Sequence, residues 1–113
     1  MADERTVLLF QSKDDRGTRS IWATTLADGR LKIEGQDLGA SVSFFAEDLT
    51  EYEWDWIVAA ADVPRISTIL GRSPDADPIA SLRSWASAAN GRDPGQQLKD
   101  AGLELEFWSR VGD

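Results

Sequence analysis

Residues 51–58 read EYEWDWIV, with acidic side chains alternating against aromatic and aliphatic ones. Side chains along a strand point to opposite faces in turn. A period of two therefore groups Tyr52, Trp54, Trp56 and Val58 on one face and sets Glu51, Glu53 and Asp55 on the other. The aromatic set is the large apolar surface and belongs inside, whereas carboxylates are rarely buried. The stretch is thus read as a strand with one core face and one wet, acidic face, and the rest of the chain is arranged around it.

Upstream, TVLLF at 6–10 is continuously apolar, which predicts a central strand covered on both faces. Lys13-Asp14-Asp15-Arg16-Gly17 reads as a turn, and 18–27 as a second strand. Asp28-Gly29 is the dipeptide favoured in two-residue hairpin turns because both residues tolerate positive φ. Leu31 and Ile33 alternate with Lys32 and Glu34 on the return strand, giving a meander. Between it and EYEWDWIV lies EGQDLGASVSFFAED, 34–48, where two glycines and Asp37 mark a break and Val42 with Phe45 suit one buried helical turn. The fourth strand covers 51–60.

Downstream the period changes to that of a helix. Asp62 is placed to cap a helix whose first turn tolerates Pro64, with Val63, Ile66, Ile69 and Leu70 inward and Gly71 as the stop. Asp77-Pro78 repeats the start signal, with Ile79, Leu82, Trp85, Ala86 and Ala89 at helical spacing before Asn90-Gly91. Asp93-Pro94 repeats it again for a short helix to Ala101, stopped by Gly102. Leu103, Leu105 and Phe107 then alternate with Glu104 and Glu106 in a last strand, 103–110, expected to pair with an early one. The order β-β-β-β-α-α-α-β predicts a single α+β domain over 1–113. Its mostly antiparallel sheet of about five strands carries the helices on one face.

Composition bounds the chemistry. The chain has no cysteine and no histidine, so disulfides, thiolate metal sites, thiol nucleophiles and imidazole bases are all excluded. Twenty acidic against twelve basic residues give a net charge of −8, which opposes phosphate-mediated binding to nucleic acid and favours a basic protein partner. The N-terminus MADERTVLLFQS is acidic where a secretion signal is basic, and WIVAAA at 56–61 is too short to cross a bilayer. A cytoplasmic domain without membrane contact or cofactor is the expectation. Asp14-Asp15 and Asp75/Asp77 lack calcium-loop spacing, Gly35 and Gly39 lack a phosphate-loop lysine, and the serines have no histidine to activate them.

Three carboxylates remain as candidates. Residues two apart on a strand lie roughly 6.5–7 Å apart, which overlaps the roughly 6.5–9.5 Å separation of inverting glycosidases. A general acid, however, needs burial or a close like charge to raise its pKa, and an alternating strand points these three to water. Two like charges 7 Å apart repel by only about 0.6 kcal/mol in water, so the row is tolerable even unassisted. Arg19, Arg30 and Lys32 on preceding strands are candidate cross-strand partners. Trp22 and Trp108 fall out of phase with their apolar neighbours and are expected on the far face of the sheet, where a partner, a dimer mate or a small second cluster covers them. The partner-binding set is Glu51, Glu53, Asp55, Trp108 and Arg110. No residue is assigned to catalysis, cofactor or metal.

Three segments, EGQDLG at 34–39, EYEW at 51–54 and EFWSRVGD at 106–113, together resemble a group of small, acidic, actinobacterial-type hypothetical proteins. The likeness covers most of the chain from about residue 20; SFFAED departs from it. It implies a self-standing cytoplasmic domain and carries over no catalytic residue. A second likeness, by composition and fold class, is to bacterial immunity proteins. The functional expectation is an acidic interaction domain, an inhibitor or immunity-type protein for a basic partner. The alternatives are a carboxylate-only hydrolase using Glu51 with Glu53 or Asp55, and a ligand-free homodimeric scaffold.

Overall fold

A computed structural model describes residues 4–15, 17–39 and 51–112. The expected turn at Val42 and Phe45 lies outside them. Five strands, β1 (Arg5–Asp14), β2 (Gly17–Thr25), β3 (Leu31–Leu38), β4 (Glu51–Val58) and β5 (Leu105–Gly112), form one sheet in the order β1-β2-β3-β4-β5. Every neighbouring pair is antiparallel. Between β4 and β5 come a 3-10 helix (Ala60–Arg65), a single turn α1 (Ile66–Ile69), α2 (Pro78–Ala88) and α3 (Pro94–Asp100). The helices cover one face, and the α+β architecture is the one the periodicities predict.

The core forms where the inward sets of strands and helices meet. Ile21, Ala23, Ile33 and Val58 from the sheet and Ile66, Leu82, Ala86 and Leu98 from the helices are fully buried. Each large aliphatic side chain among them contributes about 1.5–3 kcal/mol relative to exposure. Trp54 and Trp56 of β4 join them at 3% exposure each. Two glycines make room for these indoles: a Cβ on Gly35 would overlap the ring of Trp54, and one on Gly95 the ring of Trp56. Trp85 of α2 packs against this core while remaining half-buried, with the Arg92 guanidinium 5.6 Å from its ring centroid.

TVLLF is not a central strand. It lies in β1, an edge, and its unbroken apolar run comes from a bulge. Leu8 pairs with Trp22 and Phe10 with Ile21, so Leu9 is an extra residue. The bulge turns Leu9 and Phe10 toward the core in succession and leaves Leu8 42% exposed on the other face. The last strand also differs from expectation. β5 pairs with β4, its predecessor in the sheet, because the chain crosses the sheet face as helices and returns at the open edge of β4.

The hairpin at Asp28-Gly29 has a longer loop than two residues. The Gly29 amide donates to the Leu26 carbonyl at 3.0 Å and the Leu26 amide to the Arg30 carbonyl at 2.8 Å. Only Gly29 has positive φ, +92°. This is a type I turn closed by a left-handed glycine, and it needs nothing unusual of Asp28.

Asp62 caps no helix. Residue 59, at the cap position, is alanine and supplies no side-chain acceptor, while Pro64 inside the segment lacks an amide for the helical ladder, so the chain winds as a 3-10 helix. Asp62 instead meets Arg65 at 3.3 Å. The other two starts are built as the sequence predicts: Asp77 accepts from the Ala80 amide and Asp93 from the Gly95 amide, both at 2.9 Å.

Candidate functional site

The face of the sheet opposite the helices is built by the other half of each strand alternation. With Trp54, Trp56 and Val58 of β4 inward, Glu51, Glu53 and Asp55 stand outward, half-buried. The strand register then aligns Trp22 of β2, Glu34 of β3, Asp55 of β4 and Trp108 of β5 in one transverse row. Neighbouring strands lie about 4.8 Å apart, so two tryptophans bracket two carboxylates across roughly 14 Å. Together with Gln36 and Glu53 they line a cavity of about 280 Å³. Trp108 is 50% exposed at its rim.

The neighbouring row carries Gln36, Glu53 and Arg110 in register. Arg110 Nη2 lies 3.0 Å from Glu53 Oε2 and 3.7 Å from Glu51 Oε1. Gln36 Nε2 donates to both glutamates, at 3.4 Å and 3.3 Å. The Glu53 carboxyl is held below its ordinary pKa, chiefly by its hydrogen bond with Glu51 and further by the charge and hydrogen bond of Arg110. Glu51 and Glu53 therefore share one cation, and it comes from the last strand.

None of the three expected cations fills that role. Arg19 has the opposite parity. It forms a two-pronged pair with Asp37, both distances 2.8 Å, and donates to the Gly91 carbonyl at 2.8 Å on the helix side. The Asp37 hydrogen bond, ahead of the opposing effect of burial, raises the Arg19 pKa. Arg30 sits in the hairpin loop and pairs with Asp28 at 2.7 Å. Lys32 lies opposite Ile57 and pairs with Glu34 of its own strand at 3.2 Å.

Asp55 is different. It has no hydrogen bond or ion pair among the described residues, and its pKa is raised, first by burial and then by Glu34, with Lys32 opposing and Glu53 adding to the rise. Of the residues expected to bind a partner, Asp55 and Trp108 share the trough, Glu53 lines its border, and Arg110 and Glu51 form the adjoining pair. Trp22 and Glu34 complete the walls and floor. The phase of Trp22 placed it on this face, but only the register shows that it lines up with Asp55. As chemistry, the trough offers two tryptophan side chains and an acidic floor with one carboxylate that is unpaired among the described residues. Among the described residues, no group of three or more Asp or Glu is disposed to hold a metal ion.

A second cavity of about 280 Å³ lies on the helix side between β4 and α3. It was not anticipated, because its walls come from segments far apart in sequence. Its cations are already engaged: Arg19 lies over Trp54, 5.1 Å from the centroid, and Lys99 over Trp56 at 5.9 Å. Phe107 closes it against Trp56, centroids 4.4 Å apart. The arrangement is that of a packed rim.

No protein-family model, curated protein or solved structure matches the chain.

Proposed function

We propose that the chain is a small acidic interaction domain whose exposed sheet face receives a cationic side chain of a basic protein partner, in the manner of an inhibitor or immunity-type protein. The observation that carries this reading is Asp55, a carboxylate without a hydrogen-bond or ion-pair partner among the described residues, standing in register between Trp22 and Trp108. A guanidinium or ammonium entering the trough beside Asp55 would have a tryptophan ring within reach, a cation–π contact worth about 0.5–2 kcal/mol. It would also donate a charge-assisted hydrogen bond to the carboxylate of Asp55 on the floor. The net charge of −8 would steer such a partner from a distance in low salt. The adjoining Glu51 and Glu53 already share Arg110, so that cluster supports register at the rim more than attraction.

The test is titration with short arginine- and lysine-rich peptides, read by amide shifts and tryptophan fluorescence, against the same peptides with citrulline or acetyl-lysine. Binding should centre on Trp22, Asp55 and Trp108, require the peptide's charge, weaken with salt, and fall about tenfold or more in Asp55→Asn and Trp108→Ala. Equal binding by the neutral peptides, or shifts confined to the helix side, would sink the proposal.

A further inference from the structure

The two edges of the sheet are protected very differently. β1 carries the bulge at Leu9, bears Arg5 and Lys13, and packs against α2. Bulges and edge lysines are the usual devices that stop one sheet from adding to another. β5 has none of them. It runs from Leu105 to Gly112 with an unbroken register on β4, contains no proline or lysine, and among the described residues pairs with β4 alone. Phe107 and Trp108, on opposite faces of this edge, are 51% and 50% exposed.

The charges of β5 are the second observation. Glu106 and Arg110 lie two residues either side of Trp108 and so share its face. Antiparallel pairing of this edge with itself about a two-fold axis on Trp108 would bring each Glu106 opposite the Arg110 of the other copy. The two Trp108 rings would stand side by side at the axis. Directly opposite residues must share a face, which allows an axis on a residue and forbids one between residues. An axis on Phe107 would set Glu106 against Trp108, and one on Ser109 would set Glu106 against Gly112; only Trp108 matches both charges within the strand. Glu106 has no ion-pair partner within its own chain among the described residues, and Arg110, 58% exposed beyond its bonds to Glu53 and Glu51, keeps donors to spare.

We propose that β5 is a self-complementary edge through which two copies of the chain join, extending the sheet across a two-fold axis at Trp108. The acidic troughs of the two copies then lie on the same side of a continuous sheet. This inference stands on the edge of β5 and not on what the trough binds.

The test is sedimentation of the intact chain over a concentration series, with two charge reversals. The wild type should show a concentration-dependent monomer–dimer equilibrium. Glu106→Arg sets arginine against Arg110, and Arg110→Glu sets glutamate against Glu106. Each alone should weaken self-association about tenfold or more while leaving the circular dichroism spectrum intact. Mixed, the two variants place arginines at both positions of one chain opposite glutamates at both positions of the other, and the dimer should return as a heterodimer. A wild type that remains monomeric at high concentration overturns the proposal. So does a dimer indifferent to both reversals, or a mixture that does not recover association.

Discussion

Trp56 Nε1 donates to Asp93 Oδ2 at 2.7 Å, while the other oxygen of the same carboxylate accepts from the Gly95 amide at 2.9 Å. One side chain therefore both caps α3 and satisfies the indole that α3 covers. Asp93→Ala removes a cap worth about 1 kcal/mol and leaves a buried indole donor unmatched at about 1–3 kcal/mol, so the loss should total about 2–4 kcal/mol. Asp93→Asn keeps an acceptor for the cap but must choose between two donors, and should fall between wild type and alanine. Urea unfolding of the three proteins measures both differences; a loss below about 0.5 kcal/mol in the alanine variant contradicts the double role.

Gly35 lies opposite Trp54 in the β3–β4 register, and its missing Cβ is the space that the indole occupies. Gly35→Ala should cost about 1–3 kcal/mol through displacement of Trp54, although alanine ordinarily loses less entropy on folding than glycine. A thermal midpoint unchanged or raised would show that the strand accommodates the methyl group.

Much of this architecture was legible because it is local. The alternation at 51–58 needs no partner to be read, and Asp77-Pro78 and Asp93-Pro94 carry their own caps. What escaped depends on non-local pairing. The bulge at Leu9 imitates the apolar run of a buried strand, and only the Leu8–Trp22 and Phe10–Ile21 pairs expose the extra residue. The adjacency of β5 and β4 is invisible in sequence, and with it the contact of the Arg110 guanidinium with Glu51 and Glu53. The unmatched character of Asp55 was hidden for the same reason: three carboxylates that look equivalent along the strand are separated by what lies across it.

Trp54 of β4 and Trp108 of β5 should lose very different amounts of stability on truncation. Trp54 is 3% exposed and packs in the core, so Trp54→Ala should cost about 3–5 kcal/mol. Trp108→Ala removes a half-exposed ring from the far face and should cost less than about 1 kcal/mol. Guanidinium unfolding of both variants tests the phase of the sheet directly, and a reversed order would mean that its faces are exchanged.

Asp55 and Glu53 make opposite contributions to the pH dependence of stability. The folded-state pKa of Asp55 lies above its unfolded value, so its charge opposes folding at neutral pH, and that cost disappears as pH falls through the raised folded value. Glu53 has a depressed folded pKa; the stability it contributes is complete above the unfolded value and is lost as pH falls toward the folded one. Asp55→Asn should therefore stabilise the protein at about pH 7, Glu53→Gln should destabilise it, and both differences should shrink by about pH 3, below the ordinary carboxylate range. Urea midpoints at the two pH values measure all four effects. Destabilisation by Asp55→Asn at neutral pH would mean that the carboxylate already has a cation inside the chain, and the trough would then have no unmatched charge to offer.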